Sequence, residues 1–296
     1  MKKFLKSLRY GLEYGAFVVF KFIILLFPQK TRFRFAESLG GLAYHLIGVR
    51  RRIALANLKL AFPELGDAER EKIAKDSYGV MARGFLCSLW FREYVNTPGN
   101  IRIHNGETAE AVYGRGKGVV GITMHTGILE LACYIYKGKK LAAVAKNQRN
   151  PWINRFITRS REEDLGITVI PKTKHTTKDL IRHLRENYIL GLLSDHRDKG
   201  AQVTFFGAET IAPTGAVSLA LKFDAPVVFV YTLLREDNTC DIAVEEVRLI
   251  RTGHFKEDVK ENTQMLIHKM EAVIEAHPEQ WMWFHDRWKL GKTLSK

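Results

Sequence analysis

Cysteine is scarce in this chain: Cys87, Cys133 and Cys240 are the three in 296 residues, scattered through apolar stretches. That spacing excludes a disulfide framework and a cysteine-built metal site, and it fits reduced, buried thiols in a cytosolic compartment. Acid is short too, with 32 Asp and Glu against 46 Lys and Arg, a formal net charge of +14. So basic a chain calls for an anionic partner: nucleic acid, an acidic protein or a membrane surface. There is no internal repeat and no low-complexity segment. Two catalytic signatures are also missing. No His-Glu-x-x-His places two zinc-binding histidines one helical turn apart, and Gly191-Leu192-Leu193-Ser194 is not the Gly-x-Ser-x-Gly elbow of a serine hydrolase.

Long apolar runs are nearly absent as well. The exception is Tyr10 to Phe27, eighteen residues whose charges are Glu13 and Lys21, stopped by Pro28. It comes after a basic leader with Lys2, Lys3, Lys6 and Arg9, and it is too long for a signal-peptide core yet marginal for a full span. Glu13, Phe17 and Lys21 fall one helical turn apart, so the two charges share one edge of an otherwise apolar helix. A helix lying in or partly through a membrane is expected. Residues 30–60 add seven Lys or Arg against the single acid Glu37, interleaved with Phe33, Phe35, Leu42, Tyr44 and Leu46. They read as an extension of the membrane-facing helical part, or as a solvated basic face that could equally touch nucleic acid. Basic residues flank both ends of the apolar run, so charge does not fix an orientation. Pro98-Gly99-Asn100 marks a second boundary. The chain is thereby divided into an anchoring helix (1–28), a helical membrane-facing segment (29–98) and an α/β part (99–296).

The apolar content of 46% supplies a real core, and after Gly118 strand and helix patterns alternate. Strands are expected at 119–124, 141–145, 167–170, 188–193, 227–234 and 243–250, with 203–206 as an edge strand. Helices are expected at 67–90, 152–163, 176–186, 214–223 and 259–276. This alternation predicts an α/β fold with a mostly parallel central sheet flanked by helices.

Two strand ends carry the chemistry. Val119 to Met124 ends on His125, after which Ile128, Leu131, Ala132 and Ile135 recur at helical spacing, with Glu130 in the first turns. Ile189 to Ser194 ends on Asp195. Open α/β sheets bind ligands at the carboxyl ends of their strands, so both residues reach one crevice. A histidine beside a carboxylate suits general-base catalysis. The same residues could instead be a helix cap and a turn-forming Asp. Thirteen Lys or Arg against four acids lie between Lys137 and Arg185. Lys146, Arg149, Asn150, Arg159 and Arg161 make this rim a candidate binding surface for an anionic substrate, since guanidinium grips phosphate bidentately.

Taken in order, several segments resemble the bacterial lipid A biosynthesis acyltransferases of the lauroyl/myristoyl type and the related phosphatidylinositol mannoside acyltransferases. They are Arg51-Arg52-Ile53 with Asn57-Leu58 and Phe62-Pro63-Glu64, then His125-Thr126-Gly127-Ile128-Leu129-Glu130, then Asn150-Pro151 with Arg161. Asp195-His196, Phe205-Phe206-Gly207, Pro213-Thr214-Gly215 and the run from Pro278 to Trp288 complete the set. Each piece is weak alone; the ordered set, covering residues 50–290, is specific. The resemblance implies a glycerolipid-acyltransferase-like fold and an enzyme on the cytoplasmic face of a bacterial inner membrane. It implies transfer of a fatty acyl group from a thioester, on acyl carrier protein or coenzyme A, to a hydroxyl of an anionic glycolipid such as a lipid A precursor. A thioester is already activated, so no metal and no dissociable cofactor is expected, and no nucleic acid partner.

On this reading His125 is the base, and the two carboxylates divide. Asp195 sets the imidazole tautomer. Glu130 holds Arg161, ten residues after Pro151, with Arg159 as the fallback. A non-catalytic basic protein that binds lipid or nucleic acid would account for the charge, yet it leaves two strand-end residues unexplained. A hydrolase would need a Ser or Cys nucleophile that no motif provides.

Overall fold

The computed structural model describes residues 2–291; Met1, residues 292–296 and the side chains of Lys2, Lys3 and Phe4 lie outside the described residues. Five helices come first: α1 (Lys2–Leu25), α2 (Gln29–Leu46), α3 (Gly48–Ala61), α4 (Asp67–Cys87) and α5 (Phe91–Asn96). The sheet region begins with β1 (Ile101–His104), α6 (Gly106–Tyr113), β2 (Val119–Thr123), a 3-10 helix (Leu129–Tyr136), β3 (Leu141–Ala145), α7 (Pro151–Leu165) and β4 (Ile167–Pro171). Next are α8 (Thr176–Arg185), β5 (Ile189–Leu193), β6 (Gly200–Phe205), β7 (Ala208–Pro213), α9 (Gly215–Phe223), β8 (Val227–Leu234), β9 (Cys240–Val247) and α10 (Phe255–Ala276).

The central sheet has seven strands in the order β1-β9-β8-β2-β5-β3-β4, antiparallel between β8 and β9 and parallel elsewhere. It is an α/β fold with a mostly parallel central sheet and flanking helices. All five residues of β2 are buried, as a β-branched, Gly-containing strand between two neighbours must be. α7 shows how local chemistry sets an element. Asn150 caps its N-terminus by accepting from the Trp152 and Ile153 amides, Pro151 occupies the first turn, and Gly166 at φ 67° ends it.

Three expectations need correction. Residues 203–206 are no edge of the main sheet: β6 pairs antiparallel with β7, a strand the periodicity did not reveal, in a separate hairpin. Its Phe205 is buried against Trp281 and Trp288, so burial is supplied by aromatic rings rather than by sheet neighbours. The helix after His125 is 3-10, not α, and starts only at Leu129, because Gly127 is left-handed (φ 50°) and Ile128 extended. The last strand runs Cys240–Val247 and pairs antiparallel with β8, three residues earlier than the pattern suggested.

The front helices pack on the sheet's own core. Tyr44, Leu58 and Tyr78 share a buried cluster with Val120, Ile122, Trp281 and Trp283, while Phe33, Val80 and Trp90 share a second with Val119 and Val228. α1 is turned opposite to the usual amphipathic sense. Its charged edge faces protein: Glu13 accepts from Asn150, Phe17 packs edge-on against Phe156, and the Lys21 ammonium lies 4.4 Å from the Phe156 ring. Its apolar side, with Leu8, Leu12, Val19, Phe22 and Ile23, is exposed, as is Leu26 just after it. No described helix is long and apolar enough to cross a membrane.

Candidate active site

Neighbouring parallel strands in register build the site. Thr123 on β2 is level with Leu193 on β5, and the ladder continues one step with the Ser194 amide donating to the Thr123 carbonyl at 3.1 Å. Two residues beyond each strand therefore stand His125 and Asp195, side by side. The His125 amide donates to Asp195 Oδ2 at 2.9 Å, and ring Nδ1 lies 3.0 Å from Oδ1 and 3.1 Å from Oδ2. A carboxylate can only accept here, so Nδ1 carries the proton and Nε2 presents a lone pair. Among the described residues nothing bonds Nε2. Asp195 is 2% exposed, and the His125 side chain 18%. Burial works to lower the His125 pKa, but the charge and hydrogen bond of Asp195 outweigh it and raise it above the ordinary imidazole value. Asp195 is held well below the usual carboxylate range: burial pushes it up, and the adjoining imidazole with its hydrogen bonds pulls it further down.

Glu130, on the 3-10 helix, does not reach the imidazole by a hydrogen bond. Its Oε1 accepts instead from Arg161 Nη2 of α7 at 3.2 Å. The two carboxylates are thus divided as the sequence suggested, Asp195 to His125 and Glu130 to Arg161. Physically, the strand-end Asp is fixed beside the ring by register, while the 3-10 turn aims Glu130 across at α7.

The loop between them is wedged. A Cβ on Gly127 would lie 2.7 Å from the Thr232 carbonyl oxygen, and one on Gly84 would lie 2.2 Å from the Gly127 carbonyl oxygen. Thr232 also donates to the Thr126 carbonyl at 2.7 Å. Gly84→Ala forces α4 away from the loop with no flexible atom to yield. A loss of about 1–3 kcal/mol in denaturant unfolding is expected, together with a fall in turnover, because the atom displaced lies two residues from His125.

Beside the imidazole a narrow cleft is lined by Met81, Gly84, Phe85, His125, Thr126, Gly127 and Leu129. Its walls from α4 are apolar. A base with an open lone pair beside apolar walls suits removal of a proton from a bound hydroxyl. Comparison with known proteins agrees. The chain matches the family described as "Bacterial lipid A biosynthesis acyltransferase" over residues 1–290. It belongs to that family. Relatives include the lipid A biosynthesis myristoyltransferase of Escherichia coli (strain K12), 24% identical over 95% of this chain and 88% of that protein. The lipid A biosynthesis lauroyltransferase of the same organism is 23% identical over 90% and 88%. Lipid A biosynthesis acyltransferase 1 of Shigella flexneri is 24% identical over 95% and 88%.

In this acyltransferase the remaining rim residues divide. Lys146 and Arg149 are exposed in the loop after β3, at the same carboxyl edge of the sheet. Arg159, the fallback for Arg161, is turned outward and paired with Glu163 at 2.5 Å, one turn along α7. Asn150 is buried and its side chain is fully used: it caps α7 and donates to the Tyr10 carbonyl and Glu13 Oε2. It ties α1 to α7 and has no group left for substrate. Among the described residues no cluster of three or more His, Cys, Asp and Glu could hold a metal ion.

Sequence reasoning gave no role to the residues that close the site from behind. Trp281 donates its indole N–H to Asp195 Oδ2 at 2.9 Å, and its backbone bridges Thr126. His196 and His285 stand nearby with pKa values lowered by burial. Arg287, fully buried, is pushed down to about 10 by burial, though the Asp195 charge opposes that. Its Nη1 bonds Thr210 Oγ1 and the Ile211 carbonyl. The available signal was the polar atoms inside the aromatic run Pro278 to Trp288, whose indoles and guanidinium must find partners once buried.

Proposed function

We propose that this acyltransferase moves a fatty acyl group from a thioester, on acyl carrier protein or coenzyme A, to a hydroxyl of an anionic glycolipid, a lipid A precursor, with His125 as general base. The observation that carries the reading is the imidazole fixed by Asp195 through Nδ1, with Nε2 free beside an apolar cleft. Nε2 takes the acceptor proton as the hydroxyl oxygen attacks the thioester carbonyl, and Asp195 stabilises the imidazolium that forms. The tetrahedral intermediate then collapses. The carbon–sulfur bond breaks, the imidazolium returns its proton to the departing thiolate, and an ester and a free thiol leave. The thioester supplies the activation, so the chemistry asks for no metal or dissociable cofactor.

Arg161, held by Glu130 through one nitrogen, keeps its other donors for a phosphate of the acceptor or of phosphopantetheine. The exposed Lys146 and Arg149 extend that basic rim toward an acidic carrier protein or a phosphorylated lipid. The test is direct: purified protein is offered a labelled acyl thioester and a lipid A precursor, and acylated lipid is measured with a His125→Ala control.

The place of this chemistry is the cytoplasmic face of the bacterial inner membrane. Supporting it are the outward apolar side of α1, the exposed Leu42, Leu46, Ile47 and Val49 after it, and Lys30 and Arg34 among them. Residues 1–28 and 29–98 are then the membrane-facing parts and 99–296 the catalytic one. Phe22 and Leu26 are 64% and 67% exposed. An apolar side chain of this size contributes about 1.5–3 kcal/mol when buried in lipid. Phe22→Glu with Leu26→Glu should therefore weaken flotation with anionic vesicles at least tenfold at an unchanged circular dichroism spectrum. Unchanged flotation would move the anchor to residues 30–60.

A further inference from the structure

We infer that Trp281 is a positioning residue for the His125–Asp195 pair, its indole N–H holding the Asp195 carboxylate in the orientation that faces the imidazole. The inference rests on the general-base reading of His125.

Asp195 is buried and accepts three hydrogen bonds. Oδ2 takes the His125 amide and the Trp281 indole, each at 2.9 Å, which turns Oδ1 toward Nδ1 at 3.0 Å. An indole N–H can only donate, so this contact favours the charged carboxylate over the protonated one. Trp281 cannot drift. It is 1% exposed, with ring centroids 4.7 Å from Trp283 and 5.6 Å from Phe205 in edge-to-face packing. Its carbonyl accepts from Ser77, its backbone bridges Thr126, and Gln280 before it bonds both the amide and the carbonyl of Leu234. One residue near the end of the chain therefore grips both the loop that carries His125 and the carboxylate that orients the ring.

The contact also sets how strongly Asp195 pulls on the imidazole proton. A carboxylate stabilised by the indole is the weaker acceptor, so His125 releases its proton more easily than it would beside an unpinned Asp. A base is useful only when it is free at the working pH. Charged or titratable groups also surround the pair: Glu130 with Arg161, His196, His285 and Arg287, with Asp198 and Lys172 beside His196 and Arg197 beside Arg287. Among the described residues none of these donates a hydrogen bond to Asp195; Trp281 alone joins His125 there.

The test compares Trp281→Phe with Trp283→Phe in the full-length protein. Trp283 is equally buried, but its indole donates to the Pro278 carbonyl at 2.6 Å, so its loss carries a similar packing cost without touching Asp195. In Trp281→Phe, kcat should fall roughly tenfold with the KM for thioester and acceptor unchanged. The acid limb of kcat/KM against pH should move up by about half to one pH unit, and the His125 ring titration by NMR should move with it. Trp283→Phe should leave the limb in place. Should Trp281→Phe fail to fold, β-(3-benzothienyl)alanine at position 281, a bicycle of the same shape without the N–H, carries the same comparison. A limb that stays put or moves down in the variant lacking the N–H overturns the inference, as does an equal shift in Trp283→Phe. An active His125→Ala would overturn the base reading instead. An inactive His125→Ala with an unmoved limb at position 281 removes only Trp281.

Discussion

His125→Ala should lower acyl transfer by roughly 10²–10⁴-fold, the range for losing a general base, while thermal unfolding and vesicle binding change little. The expectation rests on where the side chain sits. His125 comes just after a fully buried strand, and its backbone amide, not only its ring, donates to Asp195. Alanine keeps that amide and the Thr126–Trp281 bridge, so the loop retains its shape. What disappears is the lone pair on Nε2. The nearby His196 and His285 have pKa values lowered by burial, and Ser194 is buried with its amide tied to Thr123. A variant that keeps more than about a tenth of normal turnover would remove His125 from the role of base.

Asp195→Asn should cost about 10²-fold or more in kcat, up to the loss for removing the ring itself, because of the direction of three donors. The His125 amide, the Trp281 indole and Nδ1–H all point at the carboxylate. An amide offers one accepting oxygen. With that oxygen at the Oδ2 position it satisfies the two fixed donors, and its NH₂ then faces Nδ1. The ring must answer by carrying its proton on Nε2, the tautomer that cannot act as base. The same contact governs the pH dependence. With the carboxylate charge gone, burial is opposed only by the smaller effect of the Glu130 charge, and the His125 pKa falls instead of rising.

Stability moves as well. A raised His125 pKa contributes stability that is complete below the unfolded value and is lost as pH rises through the folded one. The depressed Asp195 contributes above its unfolded value, and that is lost as pH falls. The pair is therefore most stabilising between the unfolded carboxylate value and the unfolded imidazole value, and its contribution declines from there up to the raised value. Asp195→Asn should flatten the stability profile there.

Much of the site was legible because short continuous apolar runs name the buried strands and parallel strands end together. Val119 to Met124 and Ile189 to Ser194 were enough to place His125 beside Asp195, whereas the choice of Arg161 as the partner of Glu130 came from the family resemblance, in which it stands ten residues after Pro151. Other features are not local. The turn after His125 is 3-10 because Gly127 must fit between Gly84 and Thr232, contacts made by α4 and β8 that no spacing discloses. β1 and α6 are short, and three of the four β1 residues are exposed, so they carry no apolar period. Glu13 and Lys21 looked like the wet edge of a surface helix. They face α7 because Asn150 and Phe156 offer them partners, which leaves the apolar side outward. Trp281 reaches Asp195 across 86 positions of sequence, a contact only the fold can create.

That Asp195 sets the proton affinity and tautomer of a catalytic His125 is tested most directly by measuring kcat/KM against pH for the wild type and Asp195→Asn side by side. The wild-type acid limb should lie above the ordinary imidazole value of about 6.5. The variant limb should lie below it, on a much lower plateau. Two superimposable profiles would show instead that Asp195 does not govern the imidazole.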